Sequence, residues 1–195
     1  MDRETELLLV GRVRSGDTAA FDEIYALFNR SILTFLLRLS RRRDVAEDLV
    51  EETWLRFVRH AHRLRPDTRL AAWLYTVARR LHLSYVRSRM IEDSAAVALM
   101  ALWPVSTVHV SPFEETAANE LERRIERALA SLSSPAREVL LLVSVAGLSP
   151  ADAAEVCGVS SEALRQRLSR ARRALARALE RDSSARATVI GEVTP

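Results

Sequence analysis

The most constraining feature of the chain is a pattern of two helices joined by a tight turn, between residues 149 and 179. Ser149 and Asp152 form a Ser-x-x-Asp capping box, and Pro150 stands at the first helical position, where its missing N–H leaves no hydrogen bond unmade. Gly158 ends this helix, because glycine readily adopts the left-handed conformation of a C-terminal stop. A second helix begins at Ser160. Its apolar residues recur every three or four positions and share one face: Leu164, Leu168, Ala171, Leu175 and Leu179.

The other side of this second helix is predicted to be covered with arginine. Its basic residues are Arg165, Arg167, Arg170, Arg172, Arg173 and Arg177. A helix-turn-helix with a basic second helix is the usual means of placing a helix in the major groove of DNA. A coiled coil or a plain solvated face remains an alternative at this position.

Arginine supplies every one of the 29 basic residues of the chain, which contains no lysine. The planar guanidinium suits phosphate and guanine, although a GC-rich genome that favours arginine codons would produce the same bias. The positions of the arginines are therefore more informative than their number.

Helical periodicity extends through most of the chain and predicts an all-α fold. Four helical segments are expected in the first half, and three of them can be located, at about residues 17–39, 44–58 and 70–90. In the second half, helices are expected at about residues 118–132 and 134–147, before the helix-turn-helix. Only 5 glycines and no alternating strand pattern accompany these segments.

Capping signals locate the starts of these helices. Asp17 or Thr18 caps the first, Asp44 opens the second with Glu47 three residues later, and Ser134 caps the segment before the helix-turn-helix. The residues expected to face the core include Phe21, Ile24, Tyr25, Leu49, Trp54, Val58, Trp73, Leu83, Leu121 and Leu129.

The chain is expected to contain two small helical domains. Residues 90–122 contain no lysine or arginine, whereas both flanking regions are rich in arginine. We therefore expect a first domain at 1–92, a flexible linker at 93–117 and a second domain at 118–181, followed by a disordered tail at 182–195. The linker is unusually apolar for a solvated tether, so that part of it is expected to fold against a domain or a partner.

Charge is segregated along the chain. Residues 44–52 contain five acids and no base, residues 56–89 contain nine arginines and one acid, and residues 160–181 contain seven arginines and two acids. Two basic surfaces suggest contact with one polyanion, and the acidic helix suggests a basic protein partner, although a charged face is often merely solvated. Trp73 and Tyr75, close to Arg79 and Arg80, suit stacking on unpaired bases, although core packing would also explain aromatic residues at this spacing.

Several function classes are excluded by what the sequence lacks. The single cysteine, Cys157, forms no internal disulfide and is expected to be a small core residue. No apolar run is long enough to cross a membrane and the first ten residues do not form a signal peptide, which predicts a cytoplasmic protein without membrane insertion. Four scattered histidines and the absence of a Gly-rich phosphate loop argue against a metal site, a cofactor or enzymatic activity.

Two blocks of sequence carry a resemblance to a known family. The first is Asp44–Trp54 (DVAEDLVEETW) followed by Ala72–Arg79 (AWLYTVAR). The second comprises Pro135–Leu142, Gly147–Ser149, Val159–Ser160 and Arg167–Arg172. In order and spacing, both blocks resemble bacterial RNA polymerase sigma factors of the extracytoplasmic-function (ECF) branch of the sigma-70 family. The resemblance covers residues 17–180, which is nearly the whole chain.

The resemblance implies a non-enzymatic protein that binds core RNA polymerase and promoter DNA. In the family, the acidic helix binds a coiled coil of the largest polymerase subunit. The residues that this implies for polymerase binding are Asp44, Glu47, Asp48, Glu51 and Glu52.

Promoter recognition is implied in both domains. In the first, a loop and the helix after it recognise and melt the −10 element and capture flipped bases, which implies roles for Arg65, Arg69, Trp73, Tyr75, Arg79, Arg80, Ser84 and Arg87. In the second, the basic helix enters the major groove of the −35 element, which implies roles for Ser160, Ser161, Arg165, Gln166, Arg167, Arg170, Arg172 and Arg173. Of these, Arg172 and Arg173 are expected on the DNA backbone. The linker is implied to run toward the RNA exit path.

The chain departs from the family pattern at several DNA-facing positions. Arg80 and Ser84 stand where the family usually has Asn and Asp, and the segment 162–167 differs from the usual recognition helix. The promoter consensus therefore does not follow from the resemblance. An anti-sigma factor is a partner that the family alone suggests. The alternative function is a helix-turn-helix transcription regulator without sigma activity, which would leave the acidic helix and the AWLYTVAR block unexplained.

Overall fold

The computed structural model describes the backbone of residues 2–100 and 120–191 and the side chains of residues 2–91 and 121–181. Within these residues the fold is all-α, as predicted, with eight α-helices, one short 3₁₀ turn and no strand. The chain divides into two compact units, and each unit has its own apolar core.

The first unit is a bundle in which α2 packs on α3 and α4. Its elements are α1 (Arg3–Arg14), α2 (Thr18–Ser40), α3 (Arg43–His60), the 3₁₀ turn (Ala61–Arg63) and α4 (Leu70–Met100). Its completely buried side chains include Ile24, Phe35 and Leu36 of α2, Phe57 of α3 and Leu74 of α4. This core fixes which side of α3 and of α4 is turned outward.

The two helix starts predicted in this unit have different outcomes. Asp17 caps α2, since its carboxylate accepts hydrogen bonds from the N–H groups of Ala19 and Ala20. The capping box at Asp44 is wrong: α3 begins at Arg43 and has no side-chain cap. The physical reason is position, because Arg42 occupies the N-cap and Asp44 lies within the first turn of the helix, where the guanidinium of Arg42 binds its carboxylate.

The second unit contains the predicted helix-turn-helix. Its elements are α5 (Glu120–Ala130), α6 (Ser134–Ser144), α7 (Pro150–Cys157) and α8 (Ser161–Gly191). Helix α8 packs on α5, α6 and α7 through a stripe that includes Leu164, Leu168 and Ala171. Cys157 is buried at the end of α7, as expected for a small core residue.

The turn between α7 and α8 is built as the sequence predicts. Ser149 Oγ accepts a hydrogen bond from the N–H of Asp152 at 3.1 Å, and Gly158 ends α7 with φ at +66°. Ser160 Oγ then caps α8 by accepting from the N–H of Ala163 at 3.1 Å. Before α6, however, the capping position belongs to Ser133 rather than Ser134, with no side-chain hydrogen bond.

Two helices are longer than expected. Helix α4 continues to Met100, into the stretch predicted as linker, and α8 continues to Gly191, into the stretch predicted as a disordered tail. Neither extension contains a proline or an internal glycine, the two residues that most disfavour a helix. The remaining linker positions, 101–117, and tail positions, 192–195, lie outside the described residues. The domain boundaries therefore stay predictions.

Four residues that were expected to face the core are exposed. Tyr25 is 41% exposed, Val58 54%, Leu83 39% and Leu121 59%. Periodicity assigns residues to one side of a helix, but it does not show how much of that side a neighbouring helix covers.

Candidate protein and nucleic-acid interfaces

The acidic residues of α3 form one outward face. Val45, Ala46, Leu49 and Val50 are buried behind it, and this leaves the positions between them to solvent. Asp44, Glu47, Asp48 and Glu51 are exposed, and the side chain of Glu52 is 36% exposed. The structure therefore brings together all five carboxylates that the sequence selected.

Ion pairs divide this acidic face into paired and unpaired carboxylates. Glu47 binds Arg43 at 2.8 Å and Glu52 binds Arg56 at 2.8 Å, both one helical turn away. Asp44 binds Arg42, and this hydrogen bond lowers the pKa of the Asp44 carboxyl. Within the described part of the chain, Asp48 and Glu51 have no cationic partner. These two negative charges are the ones left for another molecule to neutralise.

An apolar groove of about 400 Å³ adjoins the acidic face, between α2 and α3. Tyr25, Leu55 and Val58 line it and are 41%, 42% and 54% exposed. Trp54 is fixed beneath it, because its indole N–H donates to Asn29 Oδ1 at 2.9 Å. The groove was missed from the sequence because Tyr25, Trp54 and Val58 were assigned to the core and Leu55 was assigned to no surface. Their number was the available signal, since one stripe cannot bury so many large side chains.

The residues predicted to contact the −10 element differ in exposure, because α4 packs against the core with only one of its sides. Trp73, Arg80, Ser84 and Arg87 follow one another at helical spacing on its outer side. Arg80, Ser84 and Arg87 are exposed, and Trp73 is half-buried against the rings of Phe57 and His60. Before the helix, the loop that carries Arg65 and Arg69 exposes both side chains. Arg79 lies at the edge of the buried side and is half-buried.

Tyr75 is not part of this surface, and the prediction that it stacks on bases is wrong. It is completely buried and lies edge-on to Phe35, with ring centroids 5.3 Å apart. Burial raises the pKa of its hydroxyl to about 12, an effect that the neighbouring Ser31 partly opposes. The reason is geometric: Tyr75 is adjacent to Leu74 in a core stripe that also includes Ala78, which is wide enough to bury two consecutive residues.

The residues predicted to contact the −35 element lie on the outer side of α8. Arg165, Gln166, Arg170 and Arg173 line one shallow groove together with Ser169, opposite the buried leucines. Ser160, Ser161, Arg167 and Arg172 are exposed but do not line it.

The arginines that line the groove of α8 are not paired with acidic side chains in the described residues. The Nε–H groups of Arg170 and Arg173 point back to the carbonyls of Gln166 and Ser169, at 3.3 and 3.4 Å. In the described residues no carboxylate pairs with Arg165, Arg170 or Arg173. A row of unneutralised guanidinium groups on the second helix of a helix-turn-helix suits a phosphate backbone and base edges.

Comparison with known proteins explains why these surfaces occur in one chain. Residues 24–90 match the family model for sigma-70 region 2, and residues 122–175 match the model for sigma-70 region 4. The ECF RNA polymerase sigma factor EcfG of Rhodopseudomonas palustris is 35% identical over 158 residues, which are 79% of this chain and 82% of that protein. The chain belongs to the ECF RNA polymerase sigma factors.

Other relatives of this sigma factor agree with that assignment. The ECF sigma factor SigM of Bacillus subtilis is 28% identical, over 79% of this chain and 91% of its own. Among solved structures, the sigma factor RpoE in complex with the anti-sigma factor NepR, from Bartonella quintana, is 28% identical with a TM-score of 0.67, over 82% of this chain and 96% of that chain. CnrH in complex with the cytosolic domain of CnrY has the same fold, with a TM-score of 0.66 at 22% identity, over 91% of this chain and 98% of that chain.

The described residues contain neither a membrane-spanning helix nor a metal-binding cluster. No helix there is both long and apolar enough to span a bilayer. No group of three or more histidine, cysteine, aspartate or glutamate side chains there is arranged to hold a metal ion.

Proposed function

We propose that this sigma factor binds core RNA polymerase through the acidic face of α3 and binds promoter DNA through two arginine-rich surfaces. One of these surfaces comprises the loop at residues 65–69 and the outer side of α4, and the other is the groove of α8. The observation that carries the proposal is that unpaired charges of opposite sign stand on different helices. Carboxylates repel the DNA backbone, so the acidic face needs a protein partner.

The acidic face has the composition of a protein-binding surface. Asp48 and Glu51 offer unpaired carboxylates, and the apolar groove at Tyr25, Leu55 and Val58 lies directly beside them. A partner helix with basic and apolar residues would bury that groove while its charges meet the carboxylates. The coiled coil of the polymerase, implied by the resemblance, is a partner of this kind.

The outer side of α4 suits the −10 element after it has been melted. Unstacking a base costs a few kcal/mol, and stacking on an aromatic ring offsets about 1–3 kcal/mol of that cost. Trp73 presents a partly exposed ring at the start of the helix, and Arg80 and Arg87 follow it along the same side. A single strand could therefore stack at Trp73 while its phosphates meet the arginines.

The groove of α8 suits the −35 element as a duplex. Arg165, Arg170 and Arg173 supply fork-shaped donors for phosphate oxygens and for guanine, and Gln166 supplies an amide that can pair with adenine. Ser160 and Ser161 stand at the N-terminus of the helix, where backbone N–H groups and the helix dipole favour a phosphate.

Three further proposals concern partners and location. An anti-sigma protein holds this chain inactive, by analogy with the relative RpoE, which was solved in complex with the anti-sigma factor NepR. The protein acts in the cytoplasm, where polymerase and DNA are found, and it has no catalytic activity of its own. Co-purification of an anti-sigma partner from the native host tests the first of these proposals.

Charge reversal on α3 tests the assignment of the polymerase interface. The double variant Asp48→Arg with Glu51→Arg should weaken binding to core RNA polymerase by more than about tenfold, because like charges would then face the basic partner. Its thermal unfolding should be unchanged, since neither carboxylate has a partner in the described residues. The matched control is Glu155→Arg, the same reversal on an exposed position of α7. Normal holoenzyme assembly by the double variant would refute the assignment.

A further inference from the structure

The N-terminal helix α1 contacts the loop that precedes α4, although 64 residues separate the partners. Arg3 Nη2 donates a hydrogen bond to the carbonyl oxygen of Asp67 at 2.7 Å, and Arg3 Nη1 donates a longer one to the carbonyl oxygen of Thr68 at 3.4 Å. One guanidinium therefore holds two consecutive peptide units of the loop.

A second contact from α1 fixes the first residue of α4. Glu6 Oε1 accepts a hydrogen bond from the N–H of Leu70 at 2.7 Å, and the Glu6 side chain is only 12% exposed. The first turn of α4 has no acidic residue of its own. Glu6 thus supplies from another helix the acceptor and the negative charge that a helix N-terminus requires.

These contacts come from a well-anchored element. Leu9, Val10 and Val13 are buried, and Asp2 caps α1 by accepting from the N–H of Thr5 at 2.8 Å. Arg3 and Glu6 are one turn apart and also pair with each other. They form a bracket, by which we mean the Arg3–Glu6 pair together with its hydrogen bonds to residues 67, 68 and 70.

The bracket holds the loop by its backbone, and the side chains of Arg65, Asp67 and Arg69 remain exposed, with Arg65 paired to Asp67 at 3.2 Å. The loop is closed internally by a hydrogen bond from the N–H of Thr68 to the carbonyl of Arg65 at 3.0 Å. The side chain of Arg65 is nonetheless 82% exposed, and that of Asp67 is 64% exposed. A partner can therefore contact these side chains without displacing Arg3 or Glu6.

We propose that Arg3 and Glu6 are positioning residues for promoter melting, which hold residues 65–69 and the first turn of α4 in the conformation that captures an unpaired base. This inference rests on the proposed function of that loop. Without the bracket, the loop must be ordered at the moment of capture, and the entropy of ordering weakens binding. A misplaced loop also loses discrimination between bases, because hydrogen bonds to a base edge require fixed geometry.

The experiment uses holoenzyme reconstituted with core polymerase on a promoter fragment that the wild-type holoenzyme opens. Promoter opening is followed by a fluorescent base analogue in the −10 element. In a second assay, the affinity for a −10 non-template strand is divided by the affinity for the same strand carrying one substituted base, which gives a strand ratio. Arg3→Ala and Glu6→Ala should each reduce opening by about tenfold and should lower the ratio between the two strands. Glu6→Gln, which keeps an acceptor oxygen for Leu70, should restore most of both.

The matched control is Arg12→Ala. Arg12 is on the same helix and binds Asp17 at 2.7 Å and Glu23 at 2.8 Å, so its loss weakens the packing of α1 without removing a contact to the loop. Arg12→Ala should leave the strand ratio unchanged even if it lowers the unfolding temperature.

Two outcomes would overturn the inference, and they are distinguishable. If Arg3→Ala and Glu6→Ala behave like Arg12→Ala while Arg65→Ala with Arg69→Ala abolishes opening, then the loop acts as proposed and the bracket does not position it. If the Arg65 and Arg69 variant also opens DNA normally, the proposed function of the loop fails, and the role of the bracket fails with it.

Discussion

Removing two arginines from the groove of α8 should change how promoter binding depends on salt. Arg170 and Arg173 lie in this groove with no carboxylate partner in the described residues, so each is available to neutralise one phosphate. Each neutralised phosphate contributes about 0.9 to the slope of log K against log salt, and the variant Arg170→Gln with Arg173→Gln should therefore lose about 1.8. Raising the salt from about 50 to 200 mM should therefore weaken promoter binding by the wild type roughly tenfold more than it weakens binding by the variant.

The assay is equilibrium binding of holoenzyme to a promoter duplex at several salt concentrations. The slope, rather than the affinity at one concentration, is the quantity to compare, because a misfolded fraction lowers the apparent affinity equally at all salt concentrations. Arg127→Gln, which removes a charge from α5, is the control and should leave the slope unchanged. An unaltered slope in the double variant would show that this face of α8 does not lie on phosphates.

Two further predictions concern stability. Arg137→Met should destabilise the second unit by about 2–4 kcal/mol in thermal unfolding, because the buried guanidinium donates to the carbonyls of Leu129, Ala130 and Leu132 at 2.9–3.0 Å; a loss of less than about 0.5 kcal/mol would contradict this. The hydrogen bond from Arg12 lowers the pKa of Asp17 below its ordinary value of 3.8, so its contribution to stability is complete at neutral pH and is lost as the pH falls below that value. Asp17→Asn should remove this part of the acid dependence in pH-dependent unfolding, and an identical acid profile would refute it.

Local chemistry explains why so much of the second unit could be predicted from the sequence. Ser149, Gly158 and Ser160 act on backbone groups within three residues of themselves, and they fold as their residue types require. The role of Arg137 could not be predicted in this way. Its partners are carbonyls at the end of α5 and in the turn that follows, five to eight residues away, and nothing in the pattern of α6 distinguishes it from an exposed arginine.

In the first unit, helical periodicity is not sufficient to predict which residues are buried and which long-range contacts form. Helical spacing places Tyr75 and Trp73 equally well on an arginine-rich helix. In the fold, Tyr75 is buried against Phe35 of α2, whereas Trp73 packs on Phe57 and His60 of α3 and stays partly exposed. The bracket of Arg3 and Glu6 could not be predicted from local sequence patterns, since its partners follow more than sixty residues later. Contacts of this length depend on how helices pack, which the sequence pattern does not specify.

Charge runs in the sequence identify surfaces, but ion pairing decides which residues of a run can bind another molecule. On α3, three of the five carboxylates already have arginine partners, so the charge available to polymerase is concentrated at Asp48 and Glu51. The basic run at residues 56–89 is reduced in the same way, because Arg56 pairs with Glu52 and Arg65 pairs with Asp67. In α8 the arginines of the groove have no such partners, so the positive charge that the sequence predicts there remains available on the surface. A binding role should consequently be tested first at the charges that the fold leaves unpaired, because removing a paired charge also releases its partner and confuses the result.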